Sequence, residues 1–249
     1  MMDNKLKITR VDNAQLSHKT RAALIEIIHQ NAVDGKPFKL PNEDELSQQL
    51  GVSRNVLRDA LMSLEQMGIV TRRRSKGTIA NPQIVNFHGR LDTEPELFRT
   101  LKEVGYDVRV ETQRLGFVFE NDPVFGKDQD CYLNVEKLFF ADGKPAAYCA
   151  DRIIGSYAKL AKDSIFKLQE QSHYEFLEQN CHTTMAYTMA NLDARIPEPW
   201  IAQVLKTEEN EPVLVLEDIV YNYDHEIVVH SFIHFRRGVI NIKFLRKYS

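Results

Sequence analysis

The chain has 249 residues, 43% hydrophobic, 27% charged and 9% aromatic, enough for one large core or two ordinary ones and unlike collagen, coiled-coil or disordered compositions. No apolar run approaches the roughly 18 residues of a membrane helix, residues 1–10 lack a signal-peptide core, and Cys131, Cys149 and Cys181 include no CxxC pair; a cytoplasmic protein with reduced thiols is expected. The net charge of -3 hides an imbalance, because residues 1–80 carry 13 Lys and Arg against 9 Asp and Glu while the remainder carries 19 against 26.

The first helix is predicted over about 17–32, with Leu24, Ile27 and Ile28 on one stripe and Asp34-Gly35 as its stop. After Pro37 and Pro41, Asn42 is a good N-cap with Glu45 three residues on, and Leu46 and Leu50 lie one turn apart in a short second helix. Gly51 interrupts and Ser53 caps again. Leu57, Ala60, Leu61 and Leu64 then recur at helical spacing until Gly68. A hairpin follows, Ile69-Val70-Thr71 returning as Thr78-Ile79-Ala80. Three helices and a hairpin make a winged helix-turn-helix over 1–80, and 81–92 reads as a linker.

If the Leu57 stripe faces the core, Arg54, Asn55, Arg58 and Met62 project from the opposite side. Arg can pair with guanine and Asn with adenine, while Ser53 at the helix N-terminus suits a phosphate. Arg72, Arg73, Arg74 and Lys76 would meet the DNA backbone or minor groove, with Gly77 permitting close approach. The plainer alternative is a solvated, basic face.

From 93 onward strands dominate. Thr93 is expected to cap a helix of Leu97, Phe98, Leu101 and Val104; strands at 132–140 and 146–154 flank Asp142-Gly143, a strong hairpin signal. A helix covers about 165–179, with Phe166, Tyr174 and Leu177 as core contacts, and Pro199 opens another whose buried side is Trp200, Ile201, Val204 and Leu205. Strands at 212–221, 227–235 and 239–245 close an α+β antiparallel domain, 93–249. The acid pairs Glu208-Glu209 and Glu217-Asp218 are expected on the surface. His225, His230 and His234 make a metal site conceivable but lack an obvious carboxylate partner. No Gly-rich phosphate loop or GxSxG elbow is present, so no catalytic residue, metal or cofactor is expected.

Leu40-Pro41-Asn42-Glu43-Asp44-Glu45-Leu46, Leu50-Gly51-Val52-Ser53-Arg54, Leu57-Arg58-Asp59-Ala60-Leu61 with Leu64-Glu65 and Gly68-Ile69-Val70, and Lys76-Gly77-Thr78 closely resemble the GntR family of bacterial transcription regulators. The resemblance implies that Arg54, Asn55, Arg58 and Gly77 lie where the family contacts operator DNA. Asp44 stands where the family usually has a DNA-contacting Arg, and Val56 where it usually has Thr; an acid there weakens binding, reads a cytosine amine or turns away.

From about 91 to 247 the chain resembles the UTRA effector domain of the HutC branch, a chorismate-lyase-like antiparallel sheet. The family's charged ligand positions correspond here to Lys137, Phe139, Cys149 and Val229, so most of that charge is gone. By strand alternation Val229, Ser231, Ile233 and Phe235 share one face, as do Lys137 and Phe139 on theirs. Such a pocket suits a ligand with a larger apolar part and fewer anionic groups than a sugar phosphate, Lys137 holding one carboxylate; alternatively Phe139, Ile233 and Phe235 simply pack the sheet. The resemblance implies an effector-controlled regulator, a repressor, binding a pseudo-palindromic DNA operator as a homodimer, with no membrane partner. The alternative is a lyase-like enzyme tethered to DNA.

Overall fold

A computed structural model describes residues 13–93 and 96–247, and its backbone separates into two units, Met1–Thr93 with Lys243–Ser249, and Glu94–Ile242. The first unit contains α1 (Asn13–Gln30), β1 (Phe38–Lys39), α2 (Glu43–Leu50), α3 (Arg54–Gln66), β2 (Val70–Arg73), β3 (Gly77–Ala80) and α4 (Pro82–Val85). Asn42 and Glu45 form a reciprocal capping box: the Asn42 side chain accepts from the Glu45 N–H at 2.9 Å, and the Glu45 carboxylate from the Asn42 N–H at 3.4 Å. Gly51 closes α2 in the left-handed region at φ 65°, where a residue without Cβ is unstrained. Ser53 accepts from the Val56 N–H at 3.3 Å and starts α3. Leu57, Ala60, Leu61 and Leu64 are fully buried against Leu24, Ile28 and Leu46, so this helix is held by its apolar stripe and releases its other side. Asn42→Ala is expected to cost about 1 kcal/mol, seen as a lower urea midpoint at unchanged slope.

The hairpin carries a third strand, in the order β1-β3-β2, with Phe38 and Lys39 opposite Ala80 and Ile79. Two residues between prolines carry no period, so composition gives no sign of β1. The segment 81–92, expected as a linker, is structured within the first unit: Ile84 and Val85 of α4 pack on its core. Arg90, only 7% exposed, grips Asp92 through two bonds of 3.0 and 2.6 Å and donates to the Met67 carbonyl at 2.8 Å. The strand expected at 239–245 does not form. Gly238, at φ 74°, turns the chain out of the sheet, and residues 243–247 return to the first unit, bridging Arg90 to Lys243 and placing Leu245 against Gly68.

The second unit is an antiparallel sheet of six strands, β4 (Val108–Val118), β5 (Tyr132–Ala141), β6 (Lys144–Ile154), β7 (Met185–Arg195), β8 (Val213–Asn222) and β9 (Ile227–Phe235), ordered β4-β5-β6-β9-β8-β7. Asp142 and Gly143 both have positive φ, 50° and 74°, the geometry that lets a tight hairpin follow the strand twist. α5 (Leu97–Val104), α6 (Gly155–Leu160) and α7 (His173–Cys181) accompany the sheet, and α8 (Pro199–Leu205) packs Ile201 and Leu205 against Leu138, Phe140 and Tyr148. On the other face Leu133, Val135, Ile153 and Val229 meet Phe176 and Leu177 of α7.

Three local expectations change. The helix expected at 165–179 is a 3-10 segment, Lys162–Gln169, followed by α7, because Ser172 takes an extended backbone and caps α7 through the Glu175 N–H at 3.1 Å; Phe166 is exposed as a result. The helix expected to start at Thr93 starts at Leu97, with Glu96 at its N-cap. Trp200, expected on the buried side of its helix, is half exposed and sets its ring edge-on to Tyr148 at 5.1 Å.

Candidate functional site

The exposed side of α3 carries Arg54, Asn55, Arg58 and Met62, as the buried leucine stripe requires. α2 supplies counter-charges: Asp44 Oδ1 lies 2.9 Å from Arg54 Nε, and Glu43 Oε2 lies 2.6 Å from Arg58 Nε. Asp44 is therefore turned toward α3. Both arginines remain more than half exposed, so these pairs orient the guanidinium groups and add little stability. On the hairpin, Arg73, Arg74 and Lys76 are exposed. Arg72 is different: its N–H and Nε donate to the Glu65 carboxylate at 3.0 and 2.9 Å, which lowers the Glu65 pKa against the upward push of burial. Gly77 sits at φ 81°, which favours glycine, and a Cβ there would come within 3.1 Å of Lys39 Cε, the end of a flexible side chain.

The second unit holds a cavity of about 530 Å³ on the face of the sheet that α7 covers. Strand register builds its floor. Asp151, Ser231 and Asp218 stand opposite one another on β6, β9 and β8, and Lys137, Cys149 and Ile233 form the neighbouring row. Lys137, Phe139, Cys149, Ser231 and Ile233 all line the cavity. Val229 and Phe235 share their face and do not line it: Val229 is fully buried in the core beneath α7, and Phe235 is 3% exposed.

Several lining residues were not singled out by the sequence, chiefly Asp151, Gln171, His173 and Asp218. Asp151 accepts from the Ser231 hydroxyl at 2.5 Å and the Cys149 thiol at 3.1 Å, and His173 Nδ1 lies 2.8 Å from its other oxygen. Burial alone would raise the Asp151 carboxyl, but His173 and these hydrogen bonds hold it at about 2. Burial, and then Asp151, pushes the Cys149 thiol well above its ordinary value. Burial likewise lowers the Lys137 ammonium, which donates to the Gln171 carbonyl at 2.6 Å. Asp218, expected on the surface, is 9% exposed, and burial raises its carboxyl to about 6 despite the opposing pull of His173. Period two was the available signal: Asp151 shares the face of Cys149, and Asp218 interrupts an apolar strand on the side opposite Glu217.

The polar floor is not a nucleophilic triad. Ser231, Cys149 and His173 all point at one carboxylate, whereas nucleophilic catalysis needs the hydroxyl or thiol bonded to the imidazole. Away from the cavity, His230 is held between Asp122 at 2.8 Å and Glu217 at 3.0 Å, with Arg152 also on Asp122 at 2.8 Å. The carboxylate partners that the histidine pattern lacked in sequence thus come from distant segments, and they form a hydrogen-bonded chain.

Residues 20–79 match the gntR family of bacterial regulatory proteins, and residues 127–237 match the UTRA domain. The chain is 37% identical over 79 residues to an uncharacterized HTH-type transcriptional regulator of Bacillus subtilis (strain 168), YcbG. That match covers 32% of this chain and spans about a third, 34%, of the relative. The HTH-type transcriptional regulator TreR of the same strain is 25% identical over 205 residues, 78% of this chain and 76% of that protein. The crystal structure of the possible transcriptional regulator YydK from Bacillus subtilis subsp. subtilis str. 168 shares the fold, with a TM-score of 0.74 at 16% identity over 94% of this chain and 99% of that one. With a gntR domain followed by a UTRA domain, the two matches together spanning more than half of its length, this chain belongs to the GntR family of transcription regulators and carries a UTRA effector-binding domain.

Proposed function

We propose that the protein is a repressor acting in the cytoplasm, which binds a pseudo-palindromic DNA operator as a homodimer and is controlled by a small molecule seated in the cavity of the second unit. The observation that carries this reading is the division of α3 into a fully buried leucine stripe and an exposed side of Arg54, Asn55 and Arg58, the residue types that read guanine and adenine edges in a major groove. Arg73, Arg74 and Lys76 on the hairpin meet phosphates, Gly77 keeps the hairpin tip compact, and Ser53 opens the helix end that faces the backbone. Arg72 acts through Glu65, fixing the hairpin on α3. In the cavity Lys137, Phe139, Cys149, Ser231 and Ile233 meet the effector, with Val229 and Phe235 supporting the sheet behind them. The protein is a binding protein and not a lyase, a reading supported by the transcriptional regulators it is similar to. Effector binding selects one dimer geometry, and the spacing of the two α3 helices follows it.

Selection of bound sequences from a random duplex pool tests the proposal. The expected product is an inverted repeat with half-site centres about one helical turn apart; a bound pool with no sequence preference overturns operator reading. Arg73→Ala and Arg74→Ala are each expected to weaken operator and random duplex alike, lowering the slope of log affinity against log salt by about one per subunit.

A further inference from the structure

The cavity contains more than its share of unanswered acceptors. Asp218 Oδ1, Gln171 Oε1 and His173 Nε2 are buried without a hydrogen-bond partner, and all three residues line it. A carboxylate oxygen and an amide oxygen can only accept; His173 Nε2 accepts in the neutral ring with its proton on Nδ1 and donates in the imidazolium. Buried acceptors of this kind cost free energy until a donor arrives.

Charge points the same way. Five carboxylates line the cavity against Arg99, Lys137 and the imidazole of His173. Arg99 is engaged by Glu96 at 2.9 Å and Glu175 at 3.6 Å. Lys137 is bonded to the Gln171 carbonyl and faces Asp151. The carboxylate of Asp218 is left over, at the end of the polar row, beside an apolar wall that includes Val110, Phe139 and Ile233.

We propose that the ligand of this cavity is an organic amine with an apolar body, its ammonium paired with the Asp218 carboxylate while the body lies against Val110, Phe139 and Ile233. The assignment rests on the effector-site reading above and gives it a chemical class. It reverses the expectation from Lys137 alone that the ligand brings a carboxylate, because Lys137 already has its acceptor and a carboxylate in this cavity would meet an excess of negative charge.

Titration calorimetry of the full chain with matched pairs is the test: 2-phenylethylamine against 3-phenylpropionate, cyclohexylamine against cyclohexanecarboxylate, with glucose 6-phosphate as a strongly anionic probe. The expected result is one amine per chain, bound at least about tenfold tighter than its carboxylate counterpart and lost in Asp218→Asn, whose cooperative melting shows that it is folded. Gln171→Glu replaces a neutral acceptor with a charged one and is expected to tighten the amine and weaken the carboxylate. Equal binding of the two members of each pair, or amine binding that survives Asp218→Asn, overturns the proposal. If a carboxylate or glucose 6-phosphate binds instead, and Lys137→Met abolishes it, the amine assignment falls while the effector site stands. If no probe of either charge binds at concentrations up to about 10 mM, both fall.

Discussion

Arg58→Ala is expected to lower affinity for the selected operator by roughly one to two orders of magnitude per half-site, since a bidentate contact to guanine discriminates by about 1–3 kcal/mol. Two half-sites in one complex double the free-energy loss. Affinity for random duplex should fall far less, and this contrast separates base reading from phosphate contact. Arg54→Ala is expected to behave alike. The acid partners sharpen the prediction. Glu43 and Asp44 hold the Nε edges of Arg58 and Arg54 at 2.6 and 2.9 Å, so Asp44→Asn should change which base is preferred in one half-site position while reducing repulsion from the phosphates. Competition binding with systematically substituted operators measures both. Equal losses on operator and random duplex for Arg58→Ala would remove α3 from sequence reading.

Asp218→Asn is expected to stabilise the ligand-free protein above neutral pH by about 1–3 kcal/mol and to change little near pH 4. Burial lifts the Asp218 carboxyl from the usual 3.8 to about 6. A carboxyl with a raised folded pKa favours the folded state while protonated, and that advantage is lost as pH climbs from about 4 through 6. Above that window its ionised form must be accommodated among Asp151 of β6, Ser231 of β9, and His173 and Tyr174 of α7, a setting with one like charge and no bonded donor for Oδ1. The shift of about two pKa units corresponds to roughly 3 kcal/mol; the new amide gives part of it back. Urea unfolding of both proteins at about pH 3.5 and pH 8, flanking the window set by that carboxyl, tests the sign, and a variant less stable than its parent at the higher pH would mean that Asp218 has a partner.

Local chemistry made the first unit legible in sequence. Asn42 with Glu45, Gly51, Ser53 and the Leu57 to Leu64 spacing each act within one turn of helix, so their meaning does not depend on distant residues. The Asp142-Gly143 turn was legible for the same reason. β7 was not: as an edge strand exposed along most of its length, it has no buried face to impose alternation. The cavity was half legible. Lys137, Phe139, Cys149, Ser231 and Ile233 share a face by period two, but the position along the strand at which core gives way to cavity is fixed by where α7 lies, and this put Val229 under a helix. Gln171 and His173 come from the segment that caps and begins α7, and no spacing ties them to the cavity strands that precede and follow it. The acid pair Glu217-Asp218 was misjudged because two adjacent strand residues face opposite ways.

Residues 243–247 give the first unit a dependence that its helices alone would not have. Lys247 Nζ donates to the Glu65 and Gln66 carbonyls at 3.0 and 2.7 Å, supplying a positive charge and two donors to the end of α3, where unpaired carbonyls carry the negative pole of the helix. From the standpoint of the first unit, Glu94–Ile242 is one long closed loop, and closing it costs entropy unless the inserted unit has already drawn its two ends together by folding. The finishing contact on α3 thus forms only once synthesis has reached Lys247, and prior folding of the inserted unit lowers the entropy that it costs.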